Sequence, residues 1–169
     1  MGSGVASSEL TKQGLPPVAR ADARLFILGS LPGDASLSAR QYYAHPRNQF
    51  WRLAGSVIDE PLSELAYAQR LERLTEHRIA LWDVIQSAVR PGSLDLAIRN
   101  AGHNPLADYF AGFPELRAVA FNGGTAAALG RRLLAEAKLD LIDLPSSSPA
   151  NTRAFDQKRA AWLSLRQYL

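Results

Sequence analysis

Asn48 and Asn122 carry side-chain amides, each a donor and an acceptor, the pattern that the edge of a nucleic-acid base also displays. Asn48 lies in Tyr42-Tyr43-Ala44-His45-Pro46-Arg47-Asn48-Gln49-Phe50-Trp51 and opens an apolar periodic stretch. The positive end of a helix dipole there would favour negative charge developing beside it. Gly29-Ser30-Leu31-Pro32-Gly33 ends an apolar run, and its two glycines permit close backbone approach. Tyr43 offers a flat face for stacking. Leu144-Pro145-Ser146-Ser147-Ser148-Pro149-Ala150-Asn151 brings hydroxyls and backbone N–H groups of the kind that hold phosphates. Each residue type also has an ordinary use: an Asn at a helix start is often a cap, and a glycine pair can simply make a turn.

The elements that would position these residues alternate strand and helix. Short apolar runs at 24–28, Ile79 to Trp82, Ala118 to Phe121 and Leu139 to Leu144 read as strands. Phe50, Trp51, Leu53, Ala54, Val57 and Ile58 recur at helical spacing, as do Leu62, Leu65, Ala66, Leu71 and Leu74. Asn104-Pro105 reads as a cap and first turn of a helix towards Phe110. Asn151 or Thr152 reads as the cap of a last helix carrying Phe155, Trp162, Leu163 and Leu165. The strand from Ile79 ends at Asp83-Val84-Ile85, and a long polar connection then carries Arg90-Pro91-Gly92-Ser93. This pattern predicts an α/β fold: three layers, αβα, around a mainly parallel four-stranded sheet. Three loops at its carboxyl edge can then line one cleft. Residues 1–20 read as a flexible arm before a single domain over 21–169.

Composition narrows the chemistry. The chain has 169 residues, 47% of them hydrophobic and 21% charged. No apolar run is long enough for a bilayer span and no secretion signal is evident, so a cytoplasmic protein is expected, nucleoid-associated if bacterial. Cysteine is absent, which removes thiolate catalysis, Cys zinc sites and Cys-ligated iron–sulfur clusters. His45, His77 and His103 share no metal-ligand spacing. Neither metal nor cofactor is expected, and a monomer is. The net charge is +3, and from Pro145 onward Arg153, Lys158, Arg159 and Arg166 face only Asp156. That local surplus has the sign that phosphates require.

Taken in order, GSLPG, YYAHPRNQFW, FNGG and LPSSSPAN resemble the uracil-DNA glycosylase superfamily, nearest its mismatch-specific uracil/thymine branch and the hypoxanthine-DNA glycosylase relatives of that branch. The resemblance runs from about Leu25 to Leu169. It implies a monofunctional enzyme of base excision repair that flips a deaminated base, hypoxanthine or uracil, out of damaged double-stranded DNA and hydrolyses its N-glycosidic bond. It implies catalytic roles for Asn48, in water positioning or leaving-base stabilisation, and for Asn122, in base recognition, with Asp34 a weaker candidate. Gly29, Ser30, Leu31 and Tyr43 would line the base. Ser146, Ser147, Ser148, Pro149, Ala150 and Asn151, with Arg153, would meet the DNA. No lysine stands in these motifs, so a Schiff-base lyase is not expected.

One departure stands out. Where the mismatch-specific branch carries Asn, and other branches Asp or Glu, this chain has Leu31, which cannot orient a water. The alternative reading is therefore a weak or inactive DNA-binding module of the same fold. An unrelated α/β hydrolase or nucleotide-binding protein lacks support: no Gly-x-Ser-x-Gly, P-loop or Gly-x-Gly-x-x-Gly follows a strand.

Overall fold

A computed structural model describes residues 11–169. Four parallel strands form the central sheet in the order β3-β2-β6-β7. They are β2 (Leu25–Gly29), β3 (Ile79–Asp83), β6 (Ala118–Asn122) and β7 (Asp140–Leu144). Near-continuous apolar sequence makes such strands because both sheet faces are covered. Leu25, Ile27, Ile79, Leu81, Ala118, Ala120 and Leu144 pack one face against Phe50, Leu53, Val57 and Trp162. Phe26, Leu28, Ala80, Trp82, Val119 and Phe121 pack the other against Leu106, Phe110, Ala126 and Ala127. The expected three-layer α/β architecture is present.

Helix α2 (Phe50–Ile58) and helix α6 (Phe155–Trp162) lie on the first face, and α4 (Leu106–Phe110) and α5 (Gly124–Leu133) on the second. Helix α1 (Asp34–Ala39) follows the first loop, and α3 (Tyr67–Glu76) precedes β3.

Several local expectations are corrected. The stretch from Leu62 to Leu74 is two elements, a 3₁₀ turn over Leu62–Glu64 and then α3. Asn104 does not cap α4: its amide donates to the Asp83 carbonyl at 2.8 Å, and Pro105 is the capping residue. Ala154, with no side-chain bond, precedes α6; Asn151 instead accepts the Arg153 N–H at 3.0 Å.

The largest correction is a second sheet. β4 (Ile85–Val89) pairs antiparallel with β1 (Thr11–Gln13) and β5 (Arg99–His103), where a polar connection was expected. Residues 11–20 are accordingly no flexible arm. β1 closes this sheet, Val18 bridges to Leu81, and the Tyr42 hydroxyl donates to the Pro16 carbonyl at 2.8 Å. The rest of that expected arm, residues 1–10, lies outside the described residues.

Candidate active site

Sheet register brings the site together. Gly29 pairs with Asp83, Leu28 with Phe121, and Asn122 with Leu144. The last residues of all four strands thus form one line across the carboxyl edge. Side chains alternate faces along a strand. Asp83 therefore continues Ile79 and Leu81, and Asn122 continues Ala118 and Ala120, on the face that packs α2. Asn48, just before α2, meets them there.

Hydrogen bonds fix the two amides. The Phe50 N–H donates to Asn48 Oδ1 at 2.9 Å, and the Ser147 N–H donates to Asn122 Oδ1 at 2.9 Å. A backbone N–H can only donate, so the acceptor in each case is the amide oxygen. Asn122 Nδ2 donates to Ser147 Oγ at 2.9 Å, and Ser147 Oγ donates to Asn48 Oδ1 at 2.8 Å. Asn48 is thus a partial helix cap, and its oxygen is fully used. What remains is its Nδ2 amino group, which bonds to nothing among the described residues.

Two further polar atoms end at this edge without a partner. Tyr43 Oη and Asp83 Oδ2 are buried and neither accept nor donate a hydrogen bond of good geometry among the described residues. Both crowd Gly29: a Cβ there would lie 2.6 Å from Asp83 Oδ1 and 3.2 Å from Tyr43 Oη. Close approach therefore demands glycine at this position. Tyr43 has φ of +54°, a strained conformation of the kind that collects at functional sites. One face of its ring is stacked on Phe50 at 3.9 Å, so at most the other is free for a ligand. Burial pushes the Tyr43 phenol far above its usual range; Asp83 adds to the rise and Asn122 opposes it. Burial likewise pushes the Asp83 carboxyl up to about 7, with Asp95 reinforcing the shift and Arg90 opposing it.

The first loop is braced from below. Arg90, fully buried, donates to the carbonyls of Leu31, at 3.1 Å, and Pro32. Lys158, also buried, donates to Gln49 Oε1 at 3.0 Å and to the carbonyls of Asn151 and Ser148 at 2.9 and 3.4 Å. Neither cation has a carboxylate in ion-pair contact among the described residues. Each draws loop carbonyls inward. Lys158 is therefore no surface contact for phosphate, contrary to its place in the expected basic surface. Burial holds its ammonium below the usual lysine range, and Arg153 adds to that.

Other expected residues are placed differently. Leu31, expected at the base, packs into a small apolar cluster with Ile85 and Ala88. Asp34 pairs with Lys12 at 2.5 Å on the surface and takes no part in the Asn48–Ser147–Asn122 network. Ser30 donates to Asp95 Oδ1 at 2.7 Å. Ser147, expected against DNA, is wholly buried and spends its hydroxyl inside the site. Pro149, Ala150 and Arg153 are exposed, and Ser146, Ser148 and Asn151 half-buried. Ser146 Cβ lies 3.2 Å from where a Cβ on Gly123, at φ of +101°, would stand. A cavity of about 310 Å³ lies away from this edge, lined by Phe110, Phe113, Leu134 and Leu139 among others.

Sequence reasoning missed Asp83. The signal was present: it follows Ile79 and Leu81 at a spacing of two and ends its strand. It read instead only as the end of the strand, with no role attached.

The family model of the uracil DNA glycosylase superfamily matches residues 16–167. A protein named hypoxanthine DNA glycosylase from Methanosarcina barkeri (strain Fusaro / DSM 804) is 40% identical over 156 residues, spanning 90% of this chain and 96% of its own length. One of the same name from Methanosarcina acetivorans is 39% identical over 156 residues with the same shares. The NMR solution structure of a protein from Methanosarcina acetivorans, provisionally assigned as a uracil DNA glycosylase, superposes with a TM-score of 0.85 at 38% identity. That match covers 94% of this chain and 98% of the other.

Proposed function

The chain belongs to the uracil DNA glycosylase superfamily and is a DNA N-glycosylase, and we propose that it flips hypoxanthine out of duplex DNA and hydrolyses its N-glycosidic bond, with uracil a second substrate. The observation that carries this reading is the character of the unused polar groups at the sheet's carboxyl edge. Asn48 Nδ2 is a donor, Tyr43 Oη is held neutral and can donate, and the Asp83 carboxyl can donate too below about pH 7, where it keeps its proton.

Donors suit this reaction twice over. Deamination replaces a base's amino group with a carbonyl. A donor reads the carbonyl, whereas an amino group would meet it donor to donor and leave both unpaired. As the bond from C1′ to the base nitrogen breaks, its electron pair passes to the base. Fixed donors stabilise that charge without reorganising. A water oxygen then bonds to C1′ and releases its proton to solvent, while the base takes up a proton at a ring nitrogen.

Asn48 acts in this scheme through its amino group, held in place by Phe50 N–H and the Ser147 hydroxyl. Having no free acceptor, it does not serve as a base towards water. It holds the departing base or donates to the water's oxygen. Asn122 fixes Ser147 and stands beside Tyr43, at the edge where the base would lie. The Ser146 to Asn151 loop, with Arg153, meets the phosphates. The test is excision from a panel of duplexes that differ only in one nucleotide: hypoxanthine, uracil, xanthine or mismatched thymine. Hypoxanthine should be released fastest; release of none of the four would refute the reading.

A further inference from the structure

Three large apolar side chains are exposed among the described residues, and two of them, Leu94 and Leu96, share one loop. The loop joins β4 to β5 and contains a 3₁₀ turn over Asp95–Ala97. Leu96 is 100% exposed and Leu94 61%. A single exposed leucine needs no explanation. Two on a loop pinned on both sides are a different matter.

The pins are specific. Before the leucines, the Gly92 carbonyl accepts from Lys12 Nζ at 2.6 Å and from Arg90 Nε at 3.1 Å. Ser93 Oγ accepts the Asp34 N–H at 2.9 Å. Between the leucines, Asp95 Oδ1 accepts from Ser30 Oγ at 2.7 Å. Behind them, Ile98 packs on Leu31, Ile85 and Ala88. Ser30, Leu31 and Asp34 lie in or beside the first loop, next to Gly29, while Lys12 lies on β1 and Arg90 just after β4. The loop is a fixed projection from the lip of the site, and neither leucine joins an apolar cluster among the described residues.

We infer that Leu94 and Leu96 form a wedge that enters the base stack of the duplex beside the extruded nucleotide. The inference rests on the glycosylase reading above. An extruded base leaves a gap walled by flat apolar faces, which an aliphatic side chain fills. The Ser/Pro loop exposes Pro149 and Ala150 but no large aliphatic side chain, so the larger apolar volume lies on the Leu94–Leu96 loop. The wedge's hairpin also exposes Arg99, a cation that suits a phosphate backbone, while the acidic Asp95 between the leucines is engaged by Ser30.

The test compares wild type, Leu96→Ala and the Leu94→Ala/Leu96→Ala double variant on hypoxanthine in a duplex and in the same strand unpaired. A wedge matters only where a stack must be opened. The double variant should therefore slow duplex excision by about tenfold or more, a fraction of the unstacking cost, and leave single-strand excision within about twofold. Leu96→Met should restore the duplex rate. Equal rates on the duplex would overturn the wedge, and so would equal losses on both substrates, which would make the loop a brace for the site. Should wild type excise nothing, the glycosylase reading fails first. Fluorescence of 2-aminopurine placed beside the lesion then decides: a rise on binding wild type but not the double variant upholds the wedge, and no rise with wild type ends it.

Discussion

Ser147 Oγ donates to Asn48 Oδ1 at 2.8 Å, closing a contact between residues 99 positions apart in the chain. The bond settles which end of the Asn48 amide is free. It also passes the position of Asn122, at the end of β6, to the start of α2. Three segments that the sequence shows only as separate motifs thus act as one unit.

Ser147→Ala should damage that unit without touching substrate. It takes a partner from the half-buried Asn122 Nδ2 and loosens Asn48, at a cost of about 1–3 kcal/mol in stability. Excision should slow by at least about tenfold, because a loosened donor stabilises charge less well. Thermal unfolding and single-turnover kinetics on the same preparation check both; an unchanged rate with lowered stability would make Ser147 purely structural.

Asp83 gives two pH signatures. Its raised folded value leaves it neutral at mildly acid pH and ionised above about 7. Hypoxanthine excision should fall as pH rises through 7, and Asp83→Asn should lack that limb. Stability follows the same sign. Between about pH 4 and 7 the unfolded carboxyl has lost its proton and the folded one has not, so wild-type stability declines across that window. The advantage of Asp83→Asn over wild type should grow through it to about 2–4 kcal/mol and stay level above. Denaturant titrations at pH 4, 5.5, 7 and 8.5 measure the difference, and a difference that does not change with pH would contradict the assignment.

Gly29→Ala places a methyl 2.6 Å from Asp83 Oδ1 and 3.2 Å from Tyr43 Oη. Excision should drop by about 10²-fold or more, the scale of losing one aligned donor, while binding to undamaged duplex is unchanged. Parallel loss of both would point to collapse of the whole edge.

Arg153 and Lys158, two of the basic residues around the last helix, should separate in salt titrations. Arg153 is exposed beside the Ser/Pro loop, so Arg153→Ala should flatten the slope of log affinity against log salt by about 0.9 if it meets one phosphate. Lys158→Met, buried, should leave the slope unchanged and lower stability, because the Ser148 and Asn151 carbonyls lose their donor. The reverse pattern would return Lys158 to the surface role its sequence position suggests.

The main sheet was legible because buried parallel strands read as plain apolar runs between helices of period 3.6. The second sheet was not. β1 has three residues and β5 is Arg-Asn-Ala-Gly-His, with no apolar alternation; long-range pairing with β4 makes both into strands. Asn48 and Asn122 stood out as amides at element ends. Ser147 read as one serine among three, and nothing local separates a buried hydroxyl from exposed neighbours. Lys158 read as surface because lysines rarely lie buried; only the carbonyls of a folded-back loop make that site tolerable. Leu31 read as a residue that cannot orient a water; its side chain in fact packs into the cluster with Ile85 and Ala88. Leu31→Asn should therefore cost stability and gain no activity towards uracil.

Single-turnover excision of hypoxanthine from one duplex, by wild type and by Asn48→Ala, tests the account most directly. Wild type should release the base, and Asn48→Ala should do so about 10²-fold more slowly or worse, as expected when one preorganised donor at developing charge is lost. Equal rates for the two proteins would remove Asn48 from the chemistry and contradict the account.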